Sequence, residues 1–186
     1  IETIDTNVNG TVNVIKMLIK QKPSKFINIS TDKAADASTL YGNTKQLGER
    51  ITSWAGVHIK ETKSGTVRFG NVRESRGNVF EIWNEENRNN NPLSITDPTM
   101  ERYFIHTNEV IDFILNTLLI VNRGEIFVPK MKKFSVKELA DEISKKQKII
   151  GLRQGEKIQE ILLNDEEKER AIEKKDMWVI DPYKKK

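Results

Sequence analysis

Five residues near the front of the chain are of types that move protons or steer them. Thr31, Asp32 and Lys33 follow directly on the apolar run "KFINIS", and Tyr41 and Lys45 come next, four positions apart. On a helix that spacing puts phenol and amine on one face. A tyrosine is a poor base at neutral pH because its phenol titrates near pH 10. An ammonium fixed beside it favours the phenolate, and bringing the phenolate to neutral pH asks for roughly 4 kcal/mol of differential interaction. A phenolate so held can take the proton of a sugar or alcohol hydroxyl while hydride leaves the same carbon. The same pair also fits a packed ring beside a lysine whose stem lies along apolar surface. Likewise, Asp32 and Lys33 fit a surface pair in a turn. The surroundings must choose.

Those surroundings alternate strands and helices. Helical periodicity covers about residues 2–21, with Ile4, Val8, Val12, Ile15 and Ile19 on one stripe, closed by Lys22 and Pro23. "KFINIS" reads as a strand, "TLYGNTKQLGERITSWA" as a helix, and "GTVRFGNV" as a second strand. "NVFEIWNEENR" is a helix ended by the turn "NNNP", and "LSIT" a short strand. "TNEVIDFILNTLLIV" is a helix with Thr107 as its N-cap, and "GEIFVPK" a strand. "SVKELADEIS" is a helix opened by Ser135 and Glu138 as a capping box, and "KII" a brief strand. Trp54, Trp83 and Trp178 read as packing residues. This order predicts an α/β fold with a mainly parallel sheet. In such a sheet Ser30 to Lys33, at the carboxyl end of their strand, face the crevice where open α/β sheets bind ligands.

Composition excludes several classes. The 186 residues are 37% hydrophobic and 31% charged, an ordinary globular balance with enough chain for a core. No apolar run reaches the ~20 residues of a membrane helix, and no signal-peptide pattern is present. The chain contains no cysteine, so disulfides and thiol catalysis are out, and His58 and His106 are too far apart in sequence to suggest a metal site. Net charge is +4, but Lys184, Lys185 and Lys186 supply three of those positives; they read as a solvated tail, not a nucleic-acid patch. The chain starts at Ile1, in the middle of a helical pattern, and is expected to be part of a longer protein.

The stretches "TNVNGTVNVI", "ISTDKAADASTLYGNTK", "VRFGNVRESRGNV", "ITDPTMERYFI", "GEIFVPKM" and "IIGLRQGEKIQEILL" succeed one another in an order that resembles a known family. It is the nucleotide-sugar branch of the extended short-chain dehydrogenases/reductases. Within it, the chain looks like the inverting UDP-N-acetylglucosamine 4,6-dehydratases and the wider group of capsule and polysaccharide biosynthesis dehydratases. Tyr41 is similar to the soluble inverting enzymes; many membrane-anchored relatives carry Met there. The resemblance implies an enzyme of surface polysaccharide or nonulosonic acid synthesis, cytoplasmic and homo-oligomeric, with NADP (or NAD) as cofactor, a UDP-sugar as substrate, and neither metal, nucleic acid nor membrane span. It implies roles too. Tyr41, with Thr31 beside it in the catalytic set, assists oxidation at C4. Lys33 removes the C5 proton, Asp32 protonates the departing C6 hydroxyl, and hydride returns to C6. Asn7, Tyr41, Lys45, Val72 and Arg73 would border the cofactor. Ser30, Thr31, Asn71, Arg76, Arg102, Arg153 and Glu156 would bind substrate, with Asn71, Arg102 and Arg153 on its diphosphate, the last two because guanidinium forks suit phosphate, and Glu156 on its nucleotide. Surface roles remain the alternative for Asn7, Arg102 and Arg153. Two positions depart from the family pattern: Glu74 stands where a small residue is usual, and Gln154 where proline is.

No G-x-G-x-x-G phosphate loop occurs, nor the ribose-reading acid or arginine that comes after one. The resemblance therefore implies that on the order of 90 residues, three βα units, precede this chain in the family. The expected fold is the C-terminal part of a Rossmann-type parallel sheet plus a small α/β substrate-binding region. Residues 1–90 would be the partial cofactor domain, and 91–186 mostly the substrate region, interleaved with it. The unpaired sheet edge is expected to lie open. A nucleotide-sugar 4-epimerase also uses Tyr and Lys but has no need of the Asp–Lys pair. A non-catalytic binding module would explain the missing loop but not the intact Thr31, Asp32, Lys33, Tyr41 and Lys45.

Overall fold

The computed structural model describes residues 1–181 and 183, so the lysines at 184–186 lie outside the described residues. The chain opens as one helical run: α1 (Glu2–Ile4), a π-helical turn at Asp5–Asn9, then α2 (Gly10–Gln21). Ile15 and Leu18 are its buried residues, while Ile4 and Ile19 are 41% and 52% exposed. The expected stripe fails at its start because a π turn holds an extra residue and so rotates the helix beyond it, and at its end Leu18 takes the buried position in place of Ile19. The run closes at Lys22, which is left-handed at φ 50.

Next come β1 (Lys25–Thr31), a 3-10 turn (Asp32–Ala34), α3 (Leu40–His58) and β2 (Lys63–Phe69). Strands β1 and β2 pair in parallel, from Lys25 opposite Lys63 to Thr31 opposite Phe69. The run expected as one strand divides here: β3 (Asn71–Val72) belongs to a different sheet from β2. Gly70 is the joint. A Cβ there would lie 2.7 Å from the Tyr103 Cβ and 2.9 Å from its carbonyl oxygen. The remaining elements are α4 (Val79–Arg88), β4 (Leu93–Ile95), β5 (Glu101–Ile105), α5 (Thr107–Ile120), β6 (Ile126–Pro129), β7 (Lys133–Ser135), α6 (Val136–Ile143), β8 (Gln147–Ile149), α7 (Asp165–Arg170), β9 (Ala171–Glu173) and β10 (Met177–Ile180).

The chain folds as two compact units. The first comprises Ile1–Phe69, Ile111–Lys130 and the segment from Ile161. Its sheet has the order β1-β2-β6-β10-β9, with β1, β2 and β6 parallel and β10 antiparallel to both neighbours. The fold is thus α/β of Rossmann type, with a mixed sheet in place of a wholly parallel one. Alternation along β1 separates two cores. Phe26 packs with Ile15, Leu18, Ala55 and Ile59, and its neighbour Ile27 packs with Val121, Phe127 and Val179. Helices α2 and α3 therefore cover one face, and α5, through Phe113, the other. Strand β1 is an edge strand of this sheet.

The second unit comprises Gly70–Val110 and Met131–Glu160. It contains the three-stranded sheet β3-β5-β7 and the parallel pair β4-β8 around Trp83, Leu93, Met100, Phe104 and Leu139. Trp83 is fully buried, its indole N–H donating to the Ser94 carbonyl at 2.8 Å. Trp54, expected to pack, is instead 46% exposed and stacked on the His58 ring at 4.8 Å. Among the described residues no helix is long and apolar enough to cross a membrane.

Candidate active site

In the first unit β1 ends at Thr31 and the chain passes at once into the 3-10 turn, so Ser30 to Lys33 lie at the carboxyl end of a parallel strand. Asp32 is 1% exposed. Its Oδ1 accepts from the Thr31 hydroxyl at 2.9 Å and from the Lys33 ammonium at 3.2 Å. Asp32 Oδ2 and the Ser30 hydroxyl are buried and make no hydrogen bond among the described residues. A buried oxygen without a partner costs free energy, which a ligand's donor recovers. Thr31 Oγ1 also takes the Lys33 amide at 3.4 Å, capping the turn.

Tyr41 and Lys45 sit in the first turns of α3, whose N-cap is Thr39. Burial pushes the Tyr41 phenol above its ordinary pKa; Lys33 pulls it down and Asp32 pushes it up. Lys45 Nζ donates to the Ile29 carbonyl at 2.5 Å, and burial lowers its own pKa against the opposing pull of Glu49. Lys33 is a charge that favours the phenolate, though burial outweighs it. Asn7, in the π turn, donates to Thr44 Oγ1 at 3.0 Å, and Thr44 donates to the Tyr41 carbonyl at 2.8 Å. Asn7 thus fastens the π turn to the start of α3.

In the second unit Asn71, Val72, Arg102 and Glu156 line a common cavity of about 300 Å³, with Trp83, Ser94 and Thr96 among its other walls. Arg102 is 9% exposed, and its guanidinium donates to the carbonyls of Glu101, Lys157 and Ile158 at 2.6–2.9 Å, with a Glu156 oxygen at 3.8 Å. It therefore binds the 156–158 strap as well as facing the cavity. Asn71 donates to the Tyr103 carbonyl at 3.1 Å, Arg73 lies over the Phe80 ring at 4.9 Å, and Arg76 is exposed. Arg153 is exposed in a turn closed twice: its carbonyl accepts the Glu156 amide at 3.0 Å, and Glu156 Oε2 accepts its amide at 3.1 Å. Gly155 supplies the left-handed residue of that turn at φ 79. Arg73, Arg76 and Arg153 are not among the cavity's walls.

The model of the family described as "Polysaccharide biosynthesis protein" matches residues 1–182. The chain belongs to that family. It is 33% identical to the UDP-N-acetylglucosamine 4,6-dehydratase (inverting) of Campylobacter jejuni, over 97% of this chain and 56% of that protein. It is 35% identical to a UDP-glucose 4-epimerase of Rickettsia rickettsii, over 96% of this chain and 55% of that protein. The X-ray structure of Pen from Bacillus thuringiensis, 34% identical, superposes with a TM-score of 0.90 over 95% of this chain and 58% of that one. The chain therefore spans a little over half the length of these relatives.

Two features of this polysaccharide biosynthesis protein escape sequence reasoning. Glu74, which looked out of place, accepts from the His106 ring at 2.6 Å, the Thr107 amide at 3.0 Å and the Thr107 hydroxyl at 3.1 Å. It caps α5, a role expected of Thr107, while Glu109 reaches back to the His106 amide at 2.9 Å. The second feature is Arg68, 1% exposed inside β2. All five of its N–H groups are used: Nε and Nη2 on Glu49, Nη1 and Nη2 on Glu167, and Nη1 on the Leu162 carbonyl, at 2.6–3.0 Å. Burial alone would lower its pKa, but the two carboxylates more than offset that and raise it. An arginine amid the apolar residues of "TVRF" was the available signal, since a charge in a strand core requires a counter-ion.

Proposed function

We propose that this protein is a nucleotide-sugar 4,6-dehydratase that acts on UDP-N-acetylglucosamine and inverts C5. One observation carries the reading: a buried Asp32 carboxyl in contact with the Lys33 amine at 3.2 Å, at the end of a parallel strand and near enough to the Tyr41 phenol for both charges to act on it. Elimination of water across C5 and C6 needs one group to take the C5 proton and another to protonate the departing C6 hydroxyl. The ammonium–carboxylate pair becomes the amine–carboxylic acid pair by passing one proton along that contact, with no change in net charge. This suits a site where an isolated charge would be costly. The two roles of Lys33 are ordered. While charged, it favours the Tyr41 phenolate, which takes the C4 hydroxyl proton; once neutral, it takes the C5 proton that the new ketone has made acidic. Thr31 fixes the Asp32 carboxyl through its hydroxyl.

A nicotinamide cofactor, NADP or NAD, would supply the hydride acceptor at C4 and the donor at C6. The residues present fit it: an ammonium has three donors, and Lys45 directs one to Ile29, next to Tyr41's helix face, which suits ribose hydroxyls. Asn7 supports that helix one step away, through Thr44. The 300 Å³ cavity bounded by Asn71, Arg102 and Glu156 is assigned to the nucleotide, and the exposed guanidiniums of Arg76 and Arg153 to its diphosphate. Cytoplasmic location and a homo-oligomer belong to the same reading.

The test is to incubate the full protein with UDP-N-acetylglucosamine in heavy water. A 4-keto-6-deoxy product, short of one water and carrying solvent deuterium at C5, is expected. A second reading, 4-epimerisation, is favoured by the Rickettsia rickettsii relative, and needs Tyr41 and Lys45 but not Asp32 or Lys33. A C4 epimer with unlabelled C5, from this substrate or from UDP-glucose, would decide for it.

A further inference from the structure

The turn that carries Asp32 and Lys33 is held from behind. The Ala35 amide closes it onto the Asp32 carbonyl at 3.0 Å. The next three carbonyls each meet a separate device. The Lys33 carbonyl lies against Gly42, where a Cβ would come within 2.5 Å of it. The Ala34 carbonyl accepts from the Gln46 side-chain amide at 3.0 Å, and the Ala35 carbonyl from the Asn164 side-chain amide at 2.9 Å. Asn164 is fixed in turn. It forms a full capping box with Glu167 at the start of α7, and Glu167 is bound to Arg68 through both of its oxygens. A continuous line of contacts thus runs from the buried guanidinium to the proton-transfer pair.

We propose that Gln46 and Asn164 are positioning residues: two side-chain amides that clamp the carbonyl end of the 32–34 turn and fix the Asp32 carboxyl against the Lys33 amine. The proposal rests on the reading of that pair as the acid and base of elimination. A 3-10 turn of three residues has few backbone bonds of its own, and the two amides add the constraint on position that proton transfer demands. Both amides also line a cavity of about 310 Å³. Water can therefore take over the carbonyl when either amide is removed. What is lost is position, not hydrogen-bond satisfaction.

The test uses Gln46→Met, which keeps length without a donor, Asn164→Ser, which keeps an N-cap oxygen but is too short to reach Ala35, and the double variant. Gln46 lies on α3 and Asn164 caps α7, so failure of one variant to fold leaves the other informative. Amide hydrogen exchange across residues 30–37 is compared with that of β2, alongside turnover. Each variant should exchange about tenfold faster in the turn, with β2 unchanged. Its kcat for water loss should fall by up to about 100-fold while KM stays within about twofold. Unchanged exchange in the turn of the double variant would overturn the clamp, whatever the substrate. A loosened turn with wild-type kcat would overturn its link to catalysis. An unaltered protein that removes no water would instead sink the proposed function, and the exchange result would still judge the clamp.

Discussion

At the scale of single residues, the proposed chemistry turns on Lys33. Lys33→Ala removes the C5 base and the cation that opposes the rise of the Tyr41 pKa. Release of C5 hydrogen to solvent, followed by mass spectrometry, should vanish while the far-ultraviolet circular dichroism spectrum is retained; normal exchange would remove Lys33 from the base role. The same variant should raise the Tyr41 titration further. A phenol whose folded pKa lies above the ordinary 10.0 contributes stability that is complete below pH 10 and is lost as pH rises through the folded value. Arg153→Ala should weaken UDP-sugar binding by about 1.5–3 kcal/mol, the loss of one charge-assisted contact, with cofactor affinity unaltered. Calorimetry reporting unchanged UDP-sugar binding would remove Arg153 from the diphosphate. The candidate site residues of the first unit stood out because Thr31 to Lys45 fit inside one short stretch. Asn164 did not: it reaches Ala35 across 129 positions, and no local pattern announces such a contact.

At the scale of elements, local rules succeeded where the cap lay within the element and failed where it came from elsewhere. Ser135 caps α6, accepting the Glu138 amide at 3.2 Å as expected, whereas α5 takes its cap from Glu74, 33 positions from Thr107. The strands β5, β7, β9 and β10, of three to five residues each, have no counterpart in the sequence reading. The α5 cap carries a pH signature. The His106 ring and the Thr107 groups hold the Glu74 carboxyl at about 2, against an ordinary 4.5. Its contribution is complete above pH 4.5 and is lost as pH falls towards 2. Glu74→Gln should flatten that part of the acid-unfolding curve, and curves that superpose would refute the cap's role. In β2, Arg68→Met leaves Glu49 and Glu167 buried without their cation and should cost about 3–5 kcal/mol in denaturant unfolding. Adding Glu49→Gln and Glu167→Gln should recover much of that loss.

At the scale of the whole molecule, the first unit is gathered from three separate stretches of chain, and its sheet is completed by β9 and β10, near the C-terminus. That discontinuity is why the resemblance could indicate a Rossmann-type fold while the order in which strands meet stayed hidden. Strand β6 pairs with β2 from 126–129 in the sequence, and β10 inserts between β6 and β9. Pulsed hydrogen exchange during refolding should show residues 30–37 gaining protection together with 161–170, after α2 and α3. Protection of the turn ahead of α7 would contradict the contact order that the structure imposes.

The saturated guanidinium also sets a clock. Arg68 meets Glu49 from 19 positions upstream but must wait for Glu167, 99 positions downstream. At ~5–20 residues per second, a ribosome needs roughly 5–20 s to deliver that second carboxylate. Through that interval the nascent chain holds a half-matched cation and an unclamped turn, a window in which a chaperone could hold the chain and in which Asp32 and Lys33 are not yet fixed against each other.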